Sequence, residues 1–228
     1  QFTDSDTINT AAENWYTGAL TLADDESFSL NNTHNNGLSI TSGALTAGNI
    51  TTSDKALTIS SAVTNFDSIA LGGTLSLTTS GAATIGNITG AGKNITINAS
   101  GNDMTVGTLG ASGTGNALGT VILTSSGTIT TGASNWYTGA LTLSDNLSFT
   151  LANSGALAIA SGALTAGNIT TSANNLTIES ATTNFDSIAL GGTLSLTTSG
   201  AATIGNITGA GKNITINASG NDMTVGTL

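Results

Sequence analysis

The sequence predicts an all-β chain wound as a parallel β-helix, a β-solenoid with coils of about 19 residues. Three observations predict it. Residues 64–109 return letter for letter as residues 183–228, so the chain is close to two copies of one unit of about 120 residues. Inside that unit runs a shorter beat: the triplets Leu57-Thr58-Ile59, Leu75-Ser76-Leu77 and Ile95-Thr96-Ile97 start 18 and 20 residues apart. The segment TLSLTTS, from Thr74, alternates apolar and hydroxyl residues, the period-two mark of a strand with one buried face. A repeat inside a repeat marks a body in which each turn of chain packs only on its neighbours.

Taken in order, residues 1–13 are polar and carry no clear beat, which predicts an irregular or partial coil. Residues 14–134 form the first long unit, opening with NWYTGALTL at Asn14. Residues 135–228 form a second, incomplete unit continuous with the first, opening with the same nine letters at Asn135. Between Leu30 and Leu38 the first copy holds NNTHNNG where the second holds the shorter ANSGA. A length change in a polar Asn/Gly stretch is what a surface loop tolerates. In one coil of each unit, ATIGNIT spaces its isoleucines three apart, Ile85 and Ile88 in the first, so the chain must kink at Gly86. The 26-residue step from Ile95 to Val121 predicts an enlarged coil. Twelve coils at the spacing of paired strands would make a rod of about 57 Å, and one long unit roughly 30 Å. Helical spacing is not sustained anywhere, and Thr, Ile and Val favour strand.

Composition narrows the function classes. Net charge is −10, with three Lys and no Arg, so nucleic acid and anionic membrane surfaces are poor partners. No apolar run approaches membrane-span length, so membrane insertion is not expected of this segment. Zero Cys excludes disulfides and thiolate metal sites. The first residue is Gln1, and the chain reads as a mature segment of something longer.

Candidate chemistry is sparse. Asp24, Asp25 and Glu26 form the densest acidic group and carry the oxygen ligands calcium takes. The second copy does not keep the trio, so it reads as a solvated loop; the expectation is no cofactor, with calcium here as the alternative. Asp67 and Asp186, and Asp103 and Asp222, recur with the coil and read as turn-backbone partners. Lys55, Lys93 and Lys212 are scattered, which leaves a carbohydrate-active site without a basic cluster. His34 is the single histidine and reads as a loop residue. Asn-x-Ser/Thr triplets are frequent, as Asn- and Thr-rich composition dictates.

The outward residues of the triplets, from Thr58 through Ser76 and Thr96 to Ile122, Thr142 and Ala158, read as a solvated hydroxyl face rather than an array that orders water. Trp15, Tyr16, Trp136 and Tyr137 are the candidate surface-contact residues. Adjacent strand residues face opposite ways, so one ring of each pair should be buried and one exposed. The plain reading is aromatic filling at a coil corner. The functional one is a ring that stacks on sugar or docks a neighbouring fibre.

With the LTI, LSL and ITI triplets, the Gly-bounded GNIT segments and the lack of Cys and Pro, the whole chain resembles the filamentous-haemagglutinin-like adhesins. More broadly, it resembles the autotransporter passengers and other giant bacterial β-strand-repeat surface proteins. The resemblance implies a right-handed parallel β-helix, export, and display at the bacterial cell surface; it brings no catalytic residues. The expected function is that of a non-enzymatic segment of a giant repeat adhesin, acting as rigid spacer and contact surface. Its expected partners are other copies of itself, neighbouring fibres, glycans or other cell surfaces. One alternative is a self-associating filament, sheath or surface-layer subunit, which the near-identity of the copies favours. Another is a carbohydrate-active β-helix enzyme.

Overall fold

The computed structural model describes residues 1–228 apart from Asp4, Ser5, Ser100, Thr114 and Ala133, and apart from the side chains of Ala23, Asp24 and Asp25. Among the described residues there is no helix, and 17 strands join into one sheet. The strands pair in parallel, each with the chain one turn earlier and later. The result is a β-solenoid of about 11 turns.

Alternation drives the winding. In Leu75–Thr79, Leu75, Leu77 and Thr79 are buried while Ser76 and Thr78 face solvent. In Ala83–Thr89 the alternation breaks, because Ala83, Ile85 and Ile88 are all buried. The chain therefore turns a corner at Gly86. A Cβ there would run into the carbonyl oxygen of Asp67 in the preceding coil, and Gly205 stands against Asp186 in the same way. At these two positions only glycine stacks on the aspartate carbonyl below without a shift.

Each coil has three faces. In the first copy, face A carries the stack Leu38, Leu57, Leu75, Ile95 and Val121. Face B carries Leu45, Thr64, Ala83, Met104 and Ile129. Face C carries Ile50, Ile69, Ile88, Leu109 and Trp136. These columns meet in one continuous apolar core. Each fully buried Leu or Ile contributes about 1.5–3 kcal/mol from the area it removes from water. The A–B corner is polar inside and only partly satisfied: the buried Ser42 hydroxyl and its counterpart at Ser161 have no hydrogen-bond partner, whereas the following coils close their bonds locally. Ser61 Oγ and Thr64 Oγ1 lie 2.5 Å apart, and Thr79 donates to the carbonyl oxygen of Ala62 at 2.8 Å. Ser180 with Thr183 and Thr198 with Ala181 repeat both contacts.

Step length follows what must be fitted between faces. Leu57 pairs with Leu75, 18 residues on, and Ile95 with Val121, 26 on. Among the extra residues of the long step, 111–113, 115 and 116 are exposed, and the Asn116 amide donates to the Gly113 carbonyl. Residues 1–13 contribute the strand Thr7–Thr10, paired with residues 29–32, and a bridge from Phe2 to Leu22.

The two long units do not sit squarely on one another. Six steps up face B lead from Leu20 through Leu45, Thr64, Ala83, Met104 and Ile129 to Leu151. In sequence, however, the counterpart of Leu20 is Leu141, which stands over Val121 on face A. Likewise Trp136, the counterpart of Trp15, stands over Leu109 on face C, although Trp15 belongs to face A through Ile40. Residues 110–134 supply the strand segments 118–124 and 128–131 for faces A and B but no third, so the next unit begins one face early. One unit is thus five and two-thirds coils, and its copy is turned by one face.

This corrects two expectations. The rod holds about 11 turns rather than twelve, because the loops around Leu30–Leu38 and residues 110–117 consume chain without adding coils. The apolar triplets also fail to form one column. Leu20 pairs with Leu45 rather than Leu38, and Leu141 lies under Leu164 rather than Leu157. The outward hydroxyl column accordingly runs from Thr58, Ser76, Thr96 and Ile122 to Thr142 and then Thr165, bypassing Ala158.

Candidate functional site

The aromatic pairs mark the start of each long unit and occupy different environments. Trp136 is fully buried between Leu109 in the coil before and Ile159 in the coil after. Its Nε1–H donates to the carbonyl oxygen of Gly107 at 2.8 Å, which satisfies the one polar atom of the indole. Tyr137 follows on the outward side and is half-buried. In the first copy Trp15 is half-buried and stacks on Phe2 with centroids 5.8 Å apart, and Tyr16 is 75% exposed. Because of the one-face turn, Tyr16 and Tyr137 lie on different faces, about 27 Å apart along the axis.

Tyr137 borders a shallow groove of about 400 Å³. One wall is the turn bearing Ala111, Gly113 and Ala117; beyond the ring lie Ala160 and Glu179. Pairing places Ala160 next to Tyr137 and Glu179 next to Ala160, so all three outward residues form one column. The corresponding column in the first copy reads Tyr16, Thr41, Ser60. The units thus share the tyrosine and differ in the two residues after it. A hollow of about 390 Å³ also lies at Tyr16, lined by Phe2, Trp15 and Leu20.

Of the acidic trio, Glu26 does not line this groove. Glu26 is exposed, and the side chains of Asp24 and Asp25 lie outside the described residues. Among the described residues no group of three or more His, Cys, Asp or Glu could hold a metal ion. Asp103 accepts the Thr128 amide at 2.8 Å, a coil-to-coil clip. Lys55 pairs with its neighbour Asp54 at 3.4 Å. His34 sits half-buried in its turn, where Nδ1 accepts the Asn36 amide at 3.3 Å.

Several Asn residues of the Asn-x-Ser/Thr triplets also clip coils together. Asn87 Oδ1 accepts both the amide and the hydroxyl of Thr108, at 3.0 and 2.7 Å. Asn49 accepts Ser68, and Asn94 accepts the Thr120 amide.

The fold therefore defines a β-solenoid, with a groove bordered by Tyr137 and Glu179 among its outward features. Comparison with protein-family models, curated proteins and solved structures finds no match. Sequence reasoning singled out Tyr137 but missed Ala160, Glu179 and the 111–117 turn. The signal that could have found them is the pair of differences between copies at 41/160 and 60/179, once pairing is known to stack them on the tyrosine.

Proposed function

We propose that this chain is a segment of an extracellular fibre at the bacterial cell surface, a non-enzymatic rod that gives reach and presents a contact surface. The observation that carries the reading is the unbroken core. The apolar columns continue from the first unit through residues 110–134 into the second without an interruption that would act as a hinge. Stacked coils that share one core resist bending, and a stiff body with small polar outward residues suits a spacer. The net charge of −10 favours solubility and keeps neighbouring rods apart. Its partners would be glycans, other cell surfaces or neighbouring fibres, with no cofactor required.

Electron microscopy of native material, with antibody against this chain, tests the proposal. Labelled filaments projecting from cells are expected. Label confined to the cytoplasm, or to compact particles, would end the reading. A second reading, a self-associating filament or sheath subunit, draws support from the letter-for-letter repetition of residues 64–109, since identical skins favour identical contacts. Lateral lattices of rods in the same images would favour it over isolated projecting fibres.

A further inference from the structure

We propose that the groove beside Tyr137 is a saccharide subsite for a neutral or N-acetylated disaccharide lying along the rod axis. The inference rests on reading the chain as a contact surface and names what one part of that surface takes. Tyr137 supplies an aromatic ring of the kind that packs against the C–H face of a pyranose. Two coils further along the same column, Glu179 presents an exposed carboxylate, which accepts hydrogen bonds from sugar hydroxyls. The separation is two strand spacings, about 9.6 Å, which suits two linked pyranose rings.

The residue between them decides whether a sugar can lie flat. In the second copy it is Ala160, which leaves the column low between ring and carboxylate; in the first it is Thr41. Ala111, Gly113 and Ala117 form the side wall with little bulk of their own. Tyr16 lacks this setting. It stands 75% exposed, and Thr41 and Ser60 take the places of Ala160 and Glu179. The first copy matches the second at every residue from 64 to 109, yet the two differ at both positions that follow the tyrosine in its column. The carboxylate and the net charge of −10 oppose acidic sugars.

Titration of the 228-residue chain with lactose, cellobiose and N,N′-diacetylchitobiose, followed by amide chemical shifts, tests the site, with sialyllactose as the acidic comparator. At least one neutral sugar is expected to shift resonances around Tyr137, Ala160, Glu179 and the 111–117 turn, and sialyllactose to bind more weakly. Tyr137→Ala and Glu179→Ser, the latter restoring the first-copy residue, should each weaken binding about tenfold, as expected for loss of one stacking or one charged hydrogen-bond contact. Ala160→Thr should obstruct the groove to a similar degree, and Tyr16→Ala should leave binding unchanged.

Circular dichroism of each variant establishes that the coil stack is retained. If none of the three neutral sugars binds at about 20 mM, the affinity range of a single weak subsite, the proposal fails. It fails equally if Tyr137→Ala leaves the affinity unchanged or if binding disappears with Tyr16→Ala. Either failure leaves the surface-fibre reading, which imaging judges separately, where it stands.

Discussion

The indole N–H of Trp136 donates to the carbonyl oxygen of Gly107, 29 residues earlier, at 2.8 Å. That bond fastens the first residues of one long unit to the last complete coil of the unit before it. Trp136→Phe keeps most of the apolar volume and removes the bond, so a loss of about 1–2 kcal/mol is expected. Trp136→Ala leaves a cavity at the junction and should cost about 3–5 kcal/mol. Trp15→Ala, at the half-buried counterpart, should cost less. Urea unfolding of the three variants checks the order, and equal losses at Trp15 and Trp136 would contradict the junction role.

The Gly86 corner predicts a contrast between glycines. Gly86→Ala drives a methyl into the Asp67 carbonyl, and Gly205→Ala does the same at Asp186. Each should destabilise by about 1–3 kcal/mol, the usual range for overpacking. Gly18→Ala meets nothing within 4 Å and should be close to neutral. Thermal melts of the single variants decide it.

The buried Ser61–Thr64 pair predicts a double-mutant result. The two hydroxyls lie 2.5 Å apart at the inner A–B corner. Ser61→Ala alone strands the Thr64 hydroxyl and should cost about 1–3 kcal/mol. Adding Thr64→Val removes the stranded group and should recover much of that loss. A double variant as unstable as the sum of its singles would show that the pair carries no coupling.

Asn87 predicts a local effect. Its Oδ1 accepts the Thr108 amide at 3.0 Å, and Asn206 holds the Thr227 amide in the same way. Asn87→Ala should speed hydrogen exchange at Thr108 about tenfold or more, with little change several coils away, because openings in stacked repeats are local. Uniform loss of protection along the rod would argue for a single cooperative unit instead.

How much of this was legible in the sequence depends on which residue pairs set the answer. The strands, the inward Leu75, Leu77, Ile85 and Ile88 and the kink at Gly86 follow from spacing alone. Period two and a misfit of three admit one reading on a buried surface. The enlarged coil at Ile95–Val121 was likewise readable from its 26-residue step.

Pairing across units was not readable. By its letters the triplet at Leu141 fits face A over Val121, where it stands, and face B over Ile129, where Leu151 stands, equally well, because both columns want an apolar residue there. Nothing local to Leu141 reports that residues 110–134 supply two strand segments and omit a third. The groove shared that fate. Tyr137 is conspicuous as a letter, but Ala160 and Glu179 acquire meaning only as its neighbours in the stack.

The omitted third strand has a consequence for appearance at larger scale. Were such units joined in tandem, each would restart its pattern a third of a turn away from the last, and the original orientation would return after three units. That is 17 coils, about 82 Å at the strand spacing. Such a thread has no front or back: any ligand or neighbour meets the same markings whichever side it approaches. Its helical period would appear in averaged images as a layer line at three times the unit length.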